Sequence, residues 1–288
     1  MTKIRTGTKR LAGLLLTMAL CFYLHLPRSA GAEPMPVFVS ILPQKYLVER
    51  IAGESVSVSV MVGPGASPST YEPTPKQMVL LSEARIYFRI GVPFENVWIE
   101  RLADVNREMT IVHTSEAVMT RELENHDGRD PHVWTSPLLT GHIARTMTDA
   151  LVAAAPDHRV EFERNRARLA SDLALLDAEI REILGKVTRR KFMVFHPSWG
   201  YFADSYGLEQ VAIEEHGSEP VASRLAALIE NAEREEIRVI FVQKHFSRRN
   251  AEAVARAIGA NVVTVDPLAE DYIANLRSLA ALFAEAMQ

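Results

Sequence analysis

VFVSILPQKYLVERIAG (37–53) and FMVFHPSWGYFADSYG (192–207) are built on one plan. In each, a β-rich apolar run meets a proline, Pro43 or Pro197, and a glycine closes a helical pattern ten residues later, at Gly53 or Gly207. The first segment is followed by the runs SVSVMV (57–62), ARIYFRIG (84–91) and MTIVHT (109–114), and the second by LEQVAIE (208–214), RVIFVQ (238–243) and NVVTVD (261–266). Strand runs alternating with helical patterns point to strand-helix units and parallel sheets. The chain is therefore read as an α/β protein of two similarly built lobes, although no clear repeat extends beyond this plan.

The intervening helices carry recognisable ends. Thr74-Pro75 is a cap followed by a proline at the first helical position, and Pro137 to Ala155 reads as a helix. In the second series Ser247 is placed to cap a helix that Gly259 closes. Between the series runs a helical pattern with no glycine or proline, from Asp157 to Leu184, with Asp157 as its expected cap. Its stripe of Leu169, Leu173, Leu176, Ile180, Ile183 and Val187 steps 4-3-4-3-4. One stripe over so few heptads favours ordinary packing over a coiled coil. A helix joining two lobes is stiff, so a ligand between them would meet a largely preformed site.

Composition bounds the function. The 288 residues are 48% hydrophobic and 24% charged, ordinary for a globular protein. The first 32 residues hold five basic and no acidic residues, so beyond them 27 basic face 36 acidic and the net charge is −9. That balance argues against a body that tracks nucleic acid phosphates, and no run of 18 or more apolar residues follows Ala32. Residues 1–32 read as a secretory signal: Lys3 to Arg10, an uncharged stretch from Leu11 to Leu26, and Ala30-Gly31-Ala32 as the cleavage pattern. The one cysteine, Cys21, lies inside that apolar stretch behind Leu20, not the small residue a lipid-attachment site prefers. Cleavage after Ala32 would leave an exported chain without cysteine, which excludes both disulfides and a cysteine-rich zinc site.

Ligands of open α/β sheets gather beyond the carboxyl ends of the strands. In the second series those ends hold His196, Glu214 and Glu215, Gln243 and His245, and Asp266. His132 lies in DPHVWTSP (130–137) just before a helix. Together His132, His196 and Asp266 offer two imidazoles and a carboxylate, a set suited to zinc, manganese or ferrous iron. The three are too far apart in sequence for spacing to test this.

The chain resembles the solute-binding proteins of zinc- or manganese-importing ABC transporters. The likeness runs through VFVSILPQKYLVERIAG, YEPTPKQMVLLSEARIYFRIG (71–91), DPHVW, the long helix, FHPSWGYFADSYGL (195–208), GSEP (217–220) and NVVTVDPL (261–268), in that order. It implies two lobes, each a four-stranded parallel sheet with helices, joined by one long rigid helix with the metal between them. The expected parts are a signal peptide (1–32), an N-terminal lobe (33–156), the linking helix (157–188) and a C-terminal lobe (189–288). The family's four metal-binding positions fall on Ser69, His132, His196 and Asp266. Ser69 departs from the usual histidine, which leaves three protein ligands with water, Glu72 or His245 filling the fourth position. Histidine at position 196 favours zinc over manganese.

The resemblance implies extracytoplasmic capture of zinc, with manganese or ferrous iron less favoured, by a monomer that delivers it to a membrane permease through exposed acidic residues and catalyses no reaction. Two alternatives share the same residues. The space left at Ser69 suits a larger metal chelate, and two histidines, a carboxylate and water also make a zinc hydrolase, with Glu214 or Glu215 as general base. No HExxH is present, and a triad of Ser198, His196 and Asp266 lacks a nucleophile elbow. His126 is read as solvated, His245 as a backing or surface residue with His216 less favoured still, His113, His142 and His158 have no partner in the pattern, and Tyr71, Trp134 and Trp199 are assigned to packing around the cleft.

Overall fold

The computed structural model describes residues 33–124, 128–214, 221–244, 246 and 248–287. The expected signal sequence, His126, Glu215, His216, the GSEP segment, His245 and the Ser247 cap lie outside these residues. Residues 34–288 form one compact unit.

The first sheet comprises β1 (Met35–Ile41), β2 (Val56–Val62), β3 (Ile86–Arg89) and β4 (Thr110–His113), ordered β2-β1-β3-β4. The second comprises β5 (Lys191–Val194), β6 (Glu209–Ala212), β7 (Val239–Gln243) and β8 (Asn261–Val265), ordered β6-β5-β7-β8. Every pairing is parallel. In both sheets the chain steps one way from its first strand and then returns to the other side, which opens a crevice at the carboxyl ends of β1 and β3, and of β5 and β7.

The helices are α1 (Leu42–Ala52), α2 (Pro75–Leu81), α3 (Pro93–Val105), α4 (Pro137–Ala154), α5 (Arg159–Leu184), α6 (Gly200–Tyr206), α7 (Ala222–Arg234), α8 (Arg248–Ile258) and α9 (Tyr272–Ala286). Thr74 caps α2 as its sequence predicts: its side chain accepts from the Gln77 backbone N–H, and Pro75 occupies the first turn. Gly207 ends α6 in the left-handed region at φ 66°, where a side chain would be strained. The shared proline differs between the lobes. Pro43 lies in the first turn of α1, whereas α6 begins only at Gly200, three residues beyond Pro197. The Trp199 N–H bonds Gln210 Oε1 at 2.7 Å instead of a helical carbonyl, so residues 196–199 form a loop.

The long helix α5 has 26 residues, about 39 Å at ~1.5 Å per residue. Asp157 does not cap it. Pro156 opens a 3-10 turn, Pro156–His158, that takes up Asp157, and α5 starts after it without a side-chain cap. Of the expected stripe, Leu169, Leu173, Leu176 and Ile180 are buried, each contributing about 1.5–3 kcal/mol of apolar burial. Ile183 is half-buried with Leu184 taking the buried place beside it, and Val187 lies beyond the end of α5. The helix packs with α1, α4 and α9, which makes the stripe an ordinary core face.

One hydrophobic core includes Val39 and Phe88 of the first sheet, the α5 stripe, and Phe192, Val194 and Phe241 of the second. Phe283 of α9 stacks on Phe241 with centroids 4.0 Å apart and meets Phe192 and Trp199 edge-on. The opposite face of the second sheet, with Met193, Ile240 and Val242, packs separately against Leu228 of α7 and Val254 of α8.

Candidate metal centre

The two histidines singled out by sequence meet. His132 follows Pro131 in a tight turn in which Asp130 Oδ1 accepts the His132 backbone N–H at 2.9 Å, an Asx turn of the kind Asp-Pro initiates. The same oxygen lies 2.7 Å from His132 Nδ1. His196 stands in the loop after β5, and its Nδ1 lies 2.5 Å from Glu214 Oε1 at the end of β6. With each Nδ1–H donated to a buried carboxylate, the tautomer is set and each Nε2 keeps a lone pair for a metal.

The two Nε2 atoms are 3.4 Å apart. Two lone pairs facing at that distance repel unless a cation or proton lies between them. At Zn–N bonds of ~2.0–2.1 Å, the edge of a tetrahedron is about 3.3–3.4 Å long. The pair therefore has the span of two adjacent zinc ligands.

The surroundings hold the rings in place. Phe246 stacks on His196 with centroids 5.2 Å apart, and Trp134 lies 5.2 Å from the His132 ring while its indole N–H donates to the Pro267 carbonyl. Gln243 Nε2 donates to the His196 carbonyl at 2.8 Å and to Ser198 Oγ at 2.6 Å. Ser198 is thus engaged by an amide, and among the described residues it has no bond to a histidine ring. Both histidines line a cavity of about 680 Å³ together with Ser69, Arg129, Glu214 and Gln243.

Asp266 lies apart from this pair. It follows β8, its Oδ1 accepts the Leu268 N–H at 2.9 Å, and its Oδ2 is 3.1 Å from Lys244 Nζ. It lines a neighbouring cavity of about 300 Å³, which shares Leu268 with the larger one. Ser69 lines the larger cavity with an exposed side chain, and Glu72 lines neither. Among the described residues no three His, Cys, Asp or Glu side chains are grouped to hold one ion.

Trp199 is fully buried in the core, Trp134 lines the cavity and Tyr71 packs edge-on against Phe94. His113 is held below the ordinary imidazole range by burial and then by Arg89, and it sits at the end of β4 and does not line the cavity. His142 is exposed on α4, and His158 pairs with Glu161. Sequence reasoning assigned no part to Asp130, whose only signal is its place two residues before His132 across a proline.

A family model described as the periplasmic component A of a zinc-uptake complex, ZnuA, matches residues 37–286. The chain belongs to the ZnuA family. A crystal structure of a ZnuA deletion mutant with zinc bound is 40% identical, covers 88% of this chain and 98% of its own, and superposes with a TM-score of 0.85. Among curated ZnuA relatives, the high-affinity zinc uptake protein ZnuA of Bacillus subtilis is 25% identical over 93% of this chain and 90% of its own length. The manganese-binding lipoprotein MntA of Halalkalibacterium halodurans is 25% identical over 81% of this chain and 79% of its own. ZnuA proteins are solute-binding proteins, and their two-lobe fold with a long connecting helix is the fold seen here.

Proposed function

We propose that this chain captures a divalent metal ion, zinc ahead of manganese or ferrous iron, and delivers it to an ABC-type permease, with His132, His196 and Asp266 as ligands. The observation that carries this is the pair of carboxylate-backed imidazoles with Nε2 atoms 3.4 Å apart, lining one cavity. Asp266 joins by leaving Lys244, and water completes the set opposite Ser69. Export through residues 1–32 with cleavage after Ala32 places the protein in the periplasm, where it acts as a monomer and presents exposed acidic residues to the permease. In this reading it acts as a solute-binding protein rather than an enzyme, with Glu214 backing His196 instead of serving as a general base.

Thermal unfolding with and without zinc, together with chelator competition, tests this reading. A ligand that binds only the folded state adds RT ln(1 + [L]/Kd), ~2.7 kcal/mol at a hundredfold excess over Kd. His132→Ala and His196→Ala should each weaken zinc binding by more than about 100-fold, beyond the ~10–100-fold typical of a backing partner. Wild-type affinity in His196→Ala would exclude it as a ligand.

A second reading, capture of a larger metal chelate, is favoured by the size of the cavity beside Ser69, since about 680 Å³ lies within the range of small-molecule sites. Ser69→His separates the two. If the position is an open ligand slot, zinc binding should tighten by about 10-fold or more, and more at pH 8 than at pH 6 because imidazole must lose its proton to bind. Unchanged or weaker binding, with a chelate found by native mass spectrometry, would support the larger cargo.

A further inference from the structure

Arg121 lies in the segment between β4 and His132. Its backbone N–H donates to Tyr201 Oη at 3.0 Å, and its carbonyl accepts the Asp130 N–H at 2.8 Å. Its guanidinium looks both ways. Nη1 donates to Asp204 Oδ2 on α6 at 2.7 Å, and Nε faces Asp130 Oδ2 at 3.5 Å. Asp130 is 1% exposed, and neither its Oδ2 nor Arg121 Nε has a hydrogen-bond partner among the described residues. The other oxygen of Asp130 is the one on His132 Nδ1. Arg121 thus touches the carboxylate that orients one histidine and the helix that follows the loop bearing the other.

The close approach depends on Gly200. A methyl group there would lie 2.2 Å from Arg121 Nε, 2.8 Å from its Cζ and 2.9 Å from Asp130 Oδ2. Nε and Cζ are inside the side chain rather than at a flexible tip, and Asp130 is buried, so neither can easily give way. Residue 200 begins α6, and in the paired segment of the first lobe the residue at the same offset from the shared proline is Tyr46. The absence of a side chain at 200 is what lets the guanidinium lie against the helix start.

We propose that Arg121 is a positioning residue for metal capture: one guanidinium, seated against Gly200, ties the Asp130–His132 pair to α6 and so keeps the His132 and His196 rings in register. This rests on the reading of those histidines as ligands. Removing the guanidinium leaves a buried carboxylate oxygen with no group opposite it. The carboxylate then turns, and the ring it holds turns with it.

The test uses the full mature chain and Arg121→Met, Gly200→Ala, the double variant and Asp204→Asn, with His196→Ala as reference. Zinc affinity is read by chelator competition, ligand geometry by the visible absorption of cobalt(II) bound in place of zinc, and folding by zinc-free thermal unfolding. Arg121→Met should lower affinity about 10–100-fold, the range for partners that orient metal ligands, and change the cobalt spectrum. Gly200→Ala should do the same, and the double variant should lose little more than either single one, because both act on one contact. Asp204 is exposed, so Asp204→Asn should fold even if Arg121→Met does not, and should cost a few-fold in affinity with the same spectral change. Wild-type affinity in Arg121→Met, or a loss with an unchanged spectrum and additive Gly200→Ala, overturns the proposal while leaving the ligands in place. If His196→Ala also binds zinc normally, the ligand reading itself fails and the proposal falls with it.

Discussion

The two lobes share one strand order but treat the crevice at their switch points in opposite ways. In the first lobe Glu95, completely buried in the opening turn of α3, fills it. Its carboxylate accepts from Ser40 Oγ at 2.6 Å, from the Ile90 and Gly91 N–H groups at 2.8 Å each, and from Arg89 Nε at 3.2 Å. Gln44 closes the other side, taking the Ser40 and Ile41 N–H groups and donating to Thr114. In the second lobe the corresponding strand ends carry His196, Glu214 and Gln243, which line the cavity. The same topology thus yields a sealed polar plug on one side and a polar cluster lining a cavity on the other. The two buried carboxylates differ in what they hold: backbone N–H groups, Ser40 and Arg89 for Glu95, a histidine ring for Glu214.

The contrast between the two crevices rests most heavily on Glu95. Glu95→Ala leaves the buried Ile90 N–H and Ser40 hydroxyl, the half-buried Gly91 N–H and Arg89 without this acceptor, and should cost at least about 3 kcal/mol of stability. Urea unfolding measures the loss, and zinc affinity of the remaining folded protein should stay within about threefold of wild type. A large loss of affinity at preserved stability would make the plug part of the site. Glu214→Gln is the converse. It should reduce zinc affinity about 10–100-fold in chelator competition with little change in the zinc-free unfolding midpoint.

The smallest effect concerns His113. Burial holds its folded-state pKa below the ordinary imidazole value of ~6.5. Below that pH the unfolded chain takes up a proton that the folded ring refuses, so stability falls as pH drops and the loss levels off below the folded-state pKa. His113→Asn should flatten the stability profile in that window and leave zinc affinity unchanged. A profile identical to wild type would show that the ring titrates as it does in the unfolded chain.

Local signals carried much of this architecture. The eight strand runs, the Thr74-Pro75 cap and the α5 stripe are all features a few residues long, and each reappears in the structure. Side chains whose meaning comes from distant partners were harder to read. Glu95 looks like any acid in a helix's first turn until β1 and β3 are seen to flank it. Asp157 has cap chemistry, but Pro156 diverts it into a 3-10 turn. His132 and His196 stood out because of their residue type and resemblance, whereas Asp130 and Arg121 act only through the fold that brings them to Gly200. Asp266 was legible as a strand-end carboxylate, but its pairing with Lys244, 22 residues away, was not.

Because the main hydrophobic core runs from Val39 through the α5 leucines to Phe241, neither sheet owns a boundary along which it can detach. Unfolding should therefore be a single cooperative event whose denaturant slope reports the surface of the whole 34–288 body. An ion gripped by one histidine from each series would then slow hydrogen exchange of amides as remote as those of β2, although no residue of β2 lines the cavity. The molecule would register its cargo through its whole fabric.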